Sequence, residues 1–332
     1  MSQGKLYLKV PSAQEANRDT VFMMLPLLAM ACYLYGPRPA ALCAVAAVTA
    51  VVSDYVVAWL RGYQRDRTEN SSIPAALVMT MMMPATVPYY VVITSTVLIV
   101  LVGKAAFGGW GVYPFNLPAL GYCAAAVSWP EQVFRYPAPY TDIGITTTQN
   151  AVMMDGVFHS LKVGGMPNVR MTNLLLGNYA GPMGATAVLV LVACAMYLWM
   201  RREIHLAIPA GFLLTCFLFA LLLPRVGEIS LSLSLYEQVY IRYQSVKYEL
   251  LTGAMLFAAV FLINDPCTRP RNQRAYFAYG VAIGLATMLF RYFGSYDIGV
   301  CFAILTVNAL SGYLDRLFAP KVHKKEAVRD DS

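Results

Sequence analysis

The apolar residues of this chain are grouped into blocks close to 20 residues long, and short polar connections separate most of them. A helix needs about 20 apolar residues to cross the roughly 30 Å hydrocarbon core of a bilayer. Ten such blocks predict an all-α polytopic membrane protein with ten transmembrane helices. The predicted spans are 21–36, 39–60, 72–87, 89–107, 114–129, 183–200, 204–223, 247–264, 276–293 and 297–317.

Composition supports a membrane protein. The chain is 58% hydrophobic and 13% charged, whereas about a quarter of the residues in a soluble domain are charged. The first 20 residues contain five charged side chains and lack the short apolar core of a cleavable signal peptide. The net charge of +7 is expected to lie in cytoplasmic loops, and nucleic acid is not an expected partner.

Connections that are rich in lysine and arginine alternate along the chain with connections that contain fewer of them. Seventeen of the 25 basic residues lie in the two terminal segments and in the connections that follow even-numbered spans. Since cytoplasmic loops are enriched in basic residues, both termini are predicted to be cytoplasmic. Residues 1–20 are then a cytoplasmic segment, 130–182 an external loop and 318–332 a basic cytoplasmic tail.

The two sets of five spans share a pattern that predicts an inverted repeat. The third span stops at Pro84 and the eighth stops before Pro266. Each is followed by a long apolar span that ends in a basic residue, Lys104 or Arg291, and then glycine. Five spans per repeat give opposite orientations, and proline-broken segments at matching positions point to a central binding site. The predicted repeats are residues 21–129 and 183–317.

Metal and cluster sites are not indicated by the sequence. The seven cysteines are scattered without a CxxC pair, and most lie in apolar spans, where a free thiol behaves as a small hydrophobe. The three histidines are dispersed along the chain. We therefore expect no iron–sulfur cluster, zinc ion or other bound metal.

A glycine- and proline-rich segment, GGWGVYPFNLPALGY, occupies residues 108–122. The pair Gly108-Gly109 allows backbones to approach closely, and the Pro-Phe-Asn break frees polar groups at membrane depth. Irregular backbone is tolerated there only where it is buried in protein or lines a cavity. Asn116 offers an amide suited to the polar edge of a heterocycle, and the alternative is a helix cap.

This segment resembles the GGxGxNPFNPA stretch of the D subunits of Rnf ion-translocating oxidoreductases and of the related B subunits of the sodium-pumping NADH:quinone reductase (Nqr). Other landmarks of that family follow in the same order, and the resemblance covers nearly the whole chain. They are Glu69-Asn70-Ser71, Pro84, Thr252-Gly253-Ala254, Asn264-Asp265-Pro266-Cys267-Thr268, Phe290-Arg291, Gly294, and Gly299 through Asn308. The resemblance implies a multi-pass subunit of the bacterial inner membrane.

Three consecutive threonines lie in the predicted external loop, at positions 146 to 148. Taken alone, the three threonines have two interpretations. They belong to a turn, or one of their hydroxyl groups carries a covalently attached cofactor outside the bilayer. The resemblance implies FMN joined through its phosphate to a threonine in an approximate Asp-x-x-(Ser/Thr)-x-Ala-Thr motif. Asp142 and Thr148 match the Asp and the acceptor, whereas Ile145 and Thr147 depart from the motif. A shift of register would make Thr147 or Thr146 the acceptor.

The resemblance also implies a second, non-covalent flavin, such as riboflavin, near Gly108-Gly109 inside the membrane. The two asparagines that the family has there fall on Tyr113 and Asn116, so a phenol replaces one amide. A tyrosine can still hydrogen-bond to a flavin or stack on it.

Acidic residues in or at the ends of spans are candidates for ion coupling. Asp54, Asp265, Asp297 and Asp315 occupy such positions. By resemblance, Asp265 and Asp315 match acidic residues implicated in cation uptake from the cytoplasmic side. Aspartate before proline is also a common helix-end arrangement, and Asp315 beside an arginine also fits an interfacial ion pair.

The favoured hypothesis is a flavin-bearing subunit that relays electrons in an Rnf-type complex and couples them to Na⁺ or H⁺ translocation. The chain has no nicotinamide-binding fingerprint, so it would act with other membrane and peripheral subunits and would not be catalytic alone. A flavin transferase would load it. The alternatives are a small-solute channel or transporter, since fold does not fix function, and a non-flavinylated structural subunit.

Overall fold

The structure, a computed structural model, describes residues 13–62, 71–109, 111–148, 151–163, 165, 167–225, 234–294, 296 and 298–318. The regular structure described is almost entirely helical. The first half contains α1 (Ala13–Tyr35), α2 (Arg38–Arg61), α3 (Ser72–Met81), α4 (Tyr89–Leu98) and α5 (Leu117–Ser128). After α4 the chain continues as a π-helix (Ile99–Lys104) and a 3-10 helix (Ala105–Phe107).

The predicted external loop contains short helices and one small hairpin. These elements are α6 (Pro130–Val133), β1 (Tyr136–Pro137), β2 (Met153–Met154), α7 (Val157–Lys162) and α8 (Met171–Leu176). β1 and β2 pair antiparallel. The second half contains α9 (Val188–Met200), α10 (Ala207–Leu222), α11 (Leu235–Leu251), α12 (Met255–Phe261), a 3-10 helix (Gln273–Ala275), α13 (Tyr276–Phe293) and α14 (Val300–Leu317).

Four helical stretches are long and apolar enough to cross a membrane, and four shorter helices are also apolar. The long stretches are Arg38–Arg61, Tyr89–Phe107, Gln273–Phe293 and Val300–Leu317; the shorter helices are α3, α5, α9 and α10. The prediction of a helical, polytopic membrane protein is therefore confirmed. The number of ten spans and the inverted repeat stay predictions.

Two of the predicted spans differ from continuous helices. In the third span, α3 stops at Met81, and an irregular segment containing Pro84 leads to α4. The eighth span is divided between α11 and α12, because Gly253 and Ala254 have φ angles of +67° and +60°. Residues in the left-handed region cannot continue a right-handed helix. Ala85 and Ala254 are buried, so both breaks lie within protein, where irregular backbone in a membrane is tolerated.

The two halves share one apolar core. It includes buried side chains from each half, such as Met79 of α3, Tyr122 of α5 and Ile304 of α14. Helices α10 and α13 approach so closely that a Cβ atom on Gly280 would collide with the Ile208 carbonyl oxygen. Small residues at helix crossings are the usual means of close packing in membranes.

Connections that are predicted to lie on the same side of the membrane are joined to each other by polar contacts. On the predicted cytoplasmic side, Arg201 Nε lies 2.7 Å from Asp19 Oδ2, which links the end of α9 to the start of α1. On the predicted external side, the Ile143 N–H donates to the Tyr35 carbonyl oxygen at 3.1 Å. The orientation itself, with both termini inside, stays a prediction.

Candidate functional site

The segment predicted to carry FMN, residues 142–148, is called the acceptor loop from here on. Thr146 and Thr147 are exposed, and Thr148 is partly buried. The Thr148 carbonyl oxygen accepts a hydrogen bond from the Ala151 N–H at 3.0 Å; the two residues between them lie outside the described residues. The loop therefore exposes the side chains of Thr146 and Thr147, while a hydrogen bond to Ala151 holds its backbone at Thr148.

The acceptor loop is docked on the turn between α1 and α2. Its Ile143 N–H donates to the Tyr35 carbonyl oxygen at 3.1 Å. The Ile145 carbonyl oxygen accepts from Arg38 Nη1 at 2.9 Å and from the Tyr89 hydroxyl at 2.6 Å. These distances are those of well-formed hydrogen bonds, so the loop is fixed to the facing ends of α1, α2 and α4.

Gly36, between α1 and α2, allows the acceptor loop to approach closely. Its φ of +78° lies in the left-handed region, which glycine adopts without strain. A Cβ atom on Gly36 would collide with the Asp142 carboxylate. Asp142 is exposed, so its carboxylate lies at the surface in a position set by this contact. Its role in flavin attachment stays a prediction.

Asn116 caps α5 and joins the two halves. Its Oδ1 accepts from the Ala119 N–H at 3.0 Å, and its Nδ2 donates to the Leu262 carbonyl oxygen at 3.0 Å. The side chain is buried. Asn116 is therefore a helix cap, and the cap together with the bond to Leu262 uses much of the hydrogen-bonding capacity of its amide. Its predicted role as a flavin ligand stays a prediction.

Cavities lie around Tyr113 on the predicted cytoplasmic side. The cavity lined by both Tyr113 and Asn116 has a volume of about 90 Å³, well below the roughly 300–1,000 Å³ of most ligand pockets. A larger cavity of about 1230 Å³ is lined by Tyr113 and residues 266–269. Gly108 and Gly109 form a turn with φ angles of +107° and +110°, in which Gly108 is exposed and Gly109 partly buried. Of these two cavities, the larger has room for a flavin ring.

Asp265 and Asp315 hold turns on the predicted cytoplasmic side. Asp265 Oδ1 accepts from the Cys267 N–H at 3.1 Å. Asp315 accepts from the N–H groups of Arg271 and Asn272 at 3.1 and 3.0 Å. Burial raises the pKa of the Asp265 carboxyl, and the Cys267 N–H opposes that rise. These bonds give both residues a structural role, and ion coupling stays a prediction.

Asp54 belongs to a buried polar triad. Its Oδ1 lies 3.2 Å from Lys104 Nζ and 3.0 Å from Ser72 Oγ, and Lys104 Nζ lies 3.0 Å from Ser72 Oγ. All three side chains are buried. The remaining acidic candidate, Asp297, lies outside the described residues.

A second buried ion pair lies on the predicted external side. Arg291 Nη2 is 3.0 Å from Glu249 Oε2, and both side chains are fully buried. Arg225 Nη1 is 3.7 Å from Glu249 Oε1. Phe158 of α7 lies against both guanidinium groups, with its ring centroid 4.6 Å from Arg291 Cζ and 5.3 Å from Arg225 Cζ. The external loop is thus attached to the second half through cation–π contacts.

The roles of Gly36, Arg38 and the Glu249 ion pairs were not predicted from the sequence. A usable signal was present in the charge pattern. Arg38, Arg225 and Arg291 are among the eight basic residues in connections predicted to be external, where the positive-inside rule disfavours them. In the structure each of these three arginines has protein partners.

The sequence matches the NQR2, RnfD, RnfE family over residues 7–324. The chain belongs to this family. Relatives named as D subunits of an ion-translocating oxidoreductase complex include those of Haemophilus influenzae (27% identical, 91% of each chain covered) and Tolumonas auensis (25%, covering 94% of this chain and 95% of the relative). The relative from Pseudomonas aeruginosa is 27% identical over 94% of each chain. The resemblance that the sequence motifs indicated is confirmed.

Proposed function

We propose that this protein is a flavin-bearing membrane subunit of an Rnf-type ion-translocating oxidoreductase complex. It would relay electrons between partner subunits, coupled to Na⁺ or H⁺ translocation across the bacterial inner membrane, with both termini in the cytoplasm. The name shared by the relatives supports membership of such a complex. The same name favours a complex subunit over a small-solute channel.

The docking of the acceptor loop is the observation that carries the flavin part of the proposal. Gly36 and Arg38 contact the first half of the loop, while Thr146 and Thr147 remain exposed and Thr148 partly so. Loading of a covalent cofactor needs a hydroxyl within reach of a modifying enzyme. Electron transfer afterwards needs a fixed anchor, which a loop held by packing and hydrogen bonds provides.

Attachment of FMN is a phosphoryl transfer without a change of oxidation state. Thr148 Oγ would form a phosphoester bond with the FMN phosphorus in a reaction catalysed by a flavin transferase. With flavin adenine dinucleotide as donor, the pyrophosphate bond would break, and AMP would leave with the hydroxyl proton. When bound, the flavin supplies one- and two-electron transfer, and the protein supplies position and electrostatics.

The second, non-covalent flavin is proposed for the larger cavity on the predicted cytoplasmic side. Tyr113 would offer its ring for stacking, and the guanidinium group of Arg269 lines the same cavity with hydrogen-bond donors. Asp315 lines this cavity and Asp265 lines the smaller cavity nearby. We propose these two carboxylates for cation uptake, with Na⁺ or H⁺ as the coupled ion.

Gly36→Ala is expected to lower covalent flavin loading several-fold, because the added methyl group would push Asp142 and the acceptor loop away from α2. Flavin fluorescence per unit of protein on a denaturing gel, after production with the flavin transferase, measures the loading. Gly62→Ala is the matched control at the other end of α2. Its φ of +67° imposes similar backbone strain, but its Cβ would meet no atom within 4 Å.

Equal loading of the two glycine variants would contradict the importance of loop docking. A wild-type protein without covalent flavin would favour the remaining alternative, a non-flavinylated structural subunit of the same complex.

A further inference from the structure

We propose that Arg38 is a positioning residue that fixes the acceptor loop and makes the midpoint potential of the flavin on it more positive. The clamp part of this inference rests on the geometry of Arg38 alone. The part that concerns the potential rests on the proposed attachment of FMN to Thr148.

The Arg38 guanidinium connects two separate segments of the chain. Nε donates to the Ala85 carbonyl oxygen at 3.0 Å, and Nη2 donates to the Val87 carbonyl oxygen at 3.2 Å. Nη1 donates to the carbonyl oxygens of Ile145 and Gly144 at 2.9 and 3.4 Å. Arg38 thus bridges the irregular exit of α3 and the acceptor loop.

The clamp is buried and has a defined geometry. Arg38 is only 4% exposed, and its Cζ lies 4.9 Å from the centroid of the Tyr89 ring. The same Tyr89 donates its hydroxyl to the Ile145 carbonyl oxygen. A planar guanidinium can satisfy several carbonyl groups at fixed angles and stack on an aromatic ring, whereas a lysine ammonium cannot do both.

The positive charge of Arg38 is solvated by the dipoles of backbone carbonyl groups. Among the described residues, its hydrogen bonds go to carbonyl oxygens. Carbonyl dipoles solvate a cation without cancelling its charge, so the field of Arg38 extends into the acceptor loop. This field is stronger in a partly buried site than in bulk water.

Thr148 lies within reach of that field. It follows Ile145 by three residues, so their Cα atoms are at most about 11 Å apart. The ribityl phosphate arm separates the flavin ring from Thr148, so the field acts on the ring where this arm folds back over the docked loop. The Debye length is about 8–10 Å at physiological salt, and screening is weaker for partly buried groups. Reduction adds electrons to a flavin, and a nearby fixed cation favours the more negative reduced form. Arg38 would therefore raise the midpoint potential.

The test compares Arg38→Gln and Arg38→Lys with Arg61→Gln, a matched control at the opposite end of α2. Arg61 also donates to a backbone carbonyl, that of Ala105, but on the other predicted side of the membrane. The first readout is hydrogen exchange of residues 141–148 in full-length protein made without flavin transferase. The second readout is the midpoint potential of the covalent flavin in loaded protein.

Both Arg38 variants are expected to speed exchange at the Ile143 amide by roughly tenfold or more, because its bond to Tyr35 depends on the docked loop. Arg38→Gln should also shift the flavin potential to a more negative value. Arg38→Lys should shift it less, because lysine retains the charge. Arg61→Gln should leave both readouts unchanged.

Unchanged exchange in Arg38→Gln, or the same faster exchange in Arg61→Gln, would overturn the clamp. Faster exchange with an unchanged potential would overturn the electrostatic part. If Arg38→Gln does not fold, Arg38→Lys tests the clamp, and Arg38→Met, which also removes the charge, tests the effect on the potential. A wild-type protein without covalent flavin would refute the proposed attachment and the effect on potential that rests on it, while the exchange measurement would still test the clamp.

Discussion

Thr148→Ala is expected to abolish the covalent flavin, giving a protein band without fluorescence on a denaturing gel. The variant loses the only oxygen through which the proposed phosphoester can form at this position. It should fold as the wild type does, because the contacts that dock the acceptor loop are made by the backbone of Ile143 and Ile145. The measurement is in-gel flavin fluorescence after production with the flavin transferase.

The two neighbouring threonines provide matched controls. Thr146→Ala and Thr147→Ala remove exposed hydroxyls from the same loop, and both proteins should remain fluorescent. A fluorescent Thr148→Ala protein with a dark Thr147→Ala or Thr146→Ala protein would move the acceptor by one or two residues. Fluorescence in all three variants would place the flavin on another side chain.

Glu249→Gln is expected to destabilise the protein by about 3–5 kcal/mol, the usual cost of leaving a buried charge without its partner. Glu249 is fully buried against Arg291, and Arg225 lies 3.7 Å from its second oxygen. Among the described residues, the substitution leaves the guanidinium groups of Arg291 and Arg225 without a carboxylate partner. A thermal or denaturant unfolding curve in detergent would measure the loss.

Glu237→Gln is the control on the same helix, α11. Glu237 is exposed and belongs to a capping box with Ser234, in which glutamine is also a suitable residue. Its stability should change little. Adding Arg291→Met to Glu249→Gln should recover part of the loss, because it removes one unpaired charge. Equal stability of the Glu249 and Glu237 variants would show that the buried ion pair contributes nothing.

Some of the helices were predicted closely from the sequence. Residues 276–293 were predicted as a span, and α13 has the same bounds, because a basic segment and a glycine delimit an apolar block. The breaks after Met81 and at Thr252 were less predictable. The residues there are mostly apolar or small, so hydropathy does not distinguish a buried irregular backbone from a buried helix.

Contacts between distant segments account for what was missed at the candidate site. Arg38 and Ile145 are separated by 107 residues, and motif spacing reports only local neighbours. The predicted acceptor, Thr148, was suggested by a resemblance of its flanking residues to the family motif. Gly36 and Arg38 lie at the turn between α1 and α2, and their contact with the acceptor loop could be identified only from the fold.

The two buried ion pairs can be compared with the inverted repeat, which stays a prediction. The sequence placed Lys104 and Arg291 at corresponding ends of the fourth and ninth spans. In the structure each is paired with a buried carboxylate, Asp54 or Glu249, on opposite predicted sides of the membrane. The partners come from non-corresponding helices of the two halves, α2 and α11, so the two ion pairs are not equivalent under the predicted repeat.

Peptide mass spectrometry of the wild-type protein, made with its flavin transferase, tests the central claim most directly. If Thr148 carries FMN, the peptide containing residues 142–148 will be heavier by the mass of FMN less one water. Fragmentation should place the added mass on Thr148. An unmodified Thr148 in protein produced with an active flavin transferase would contradict the proposed attachment.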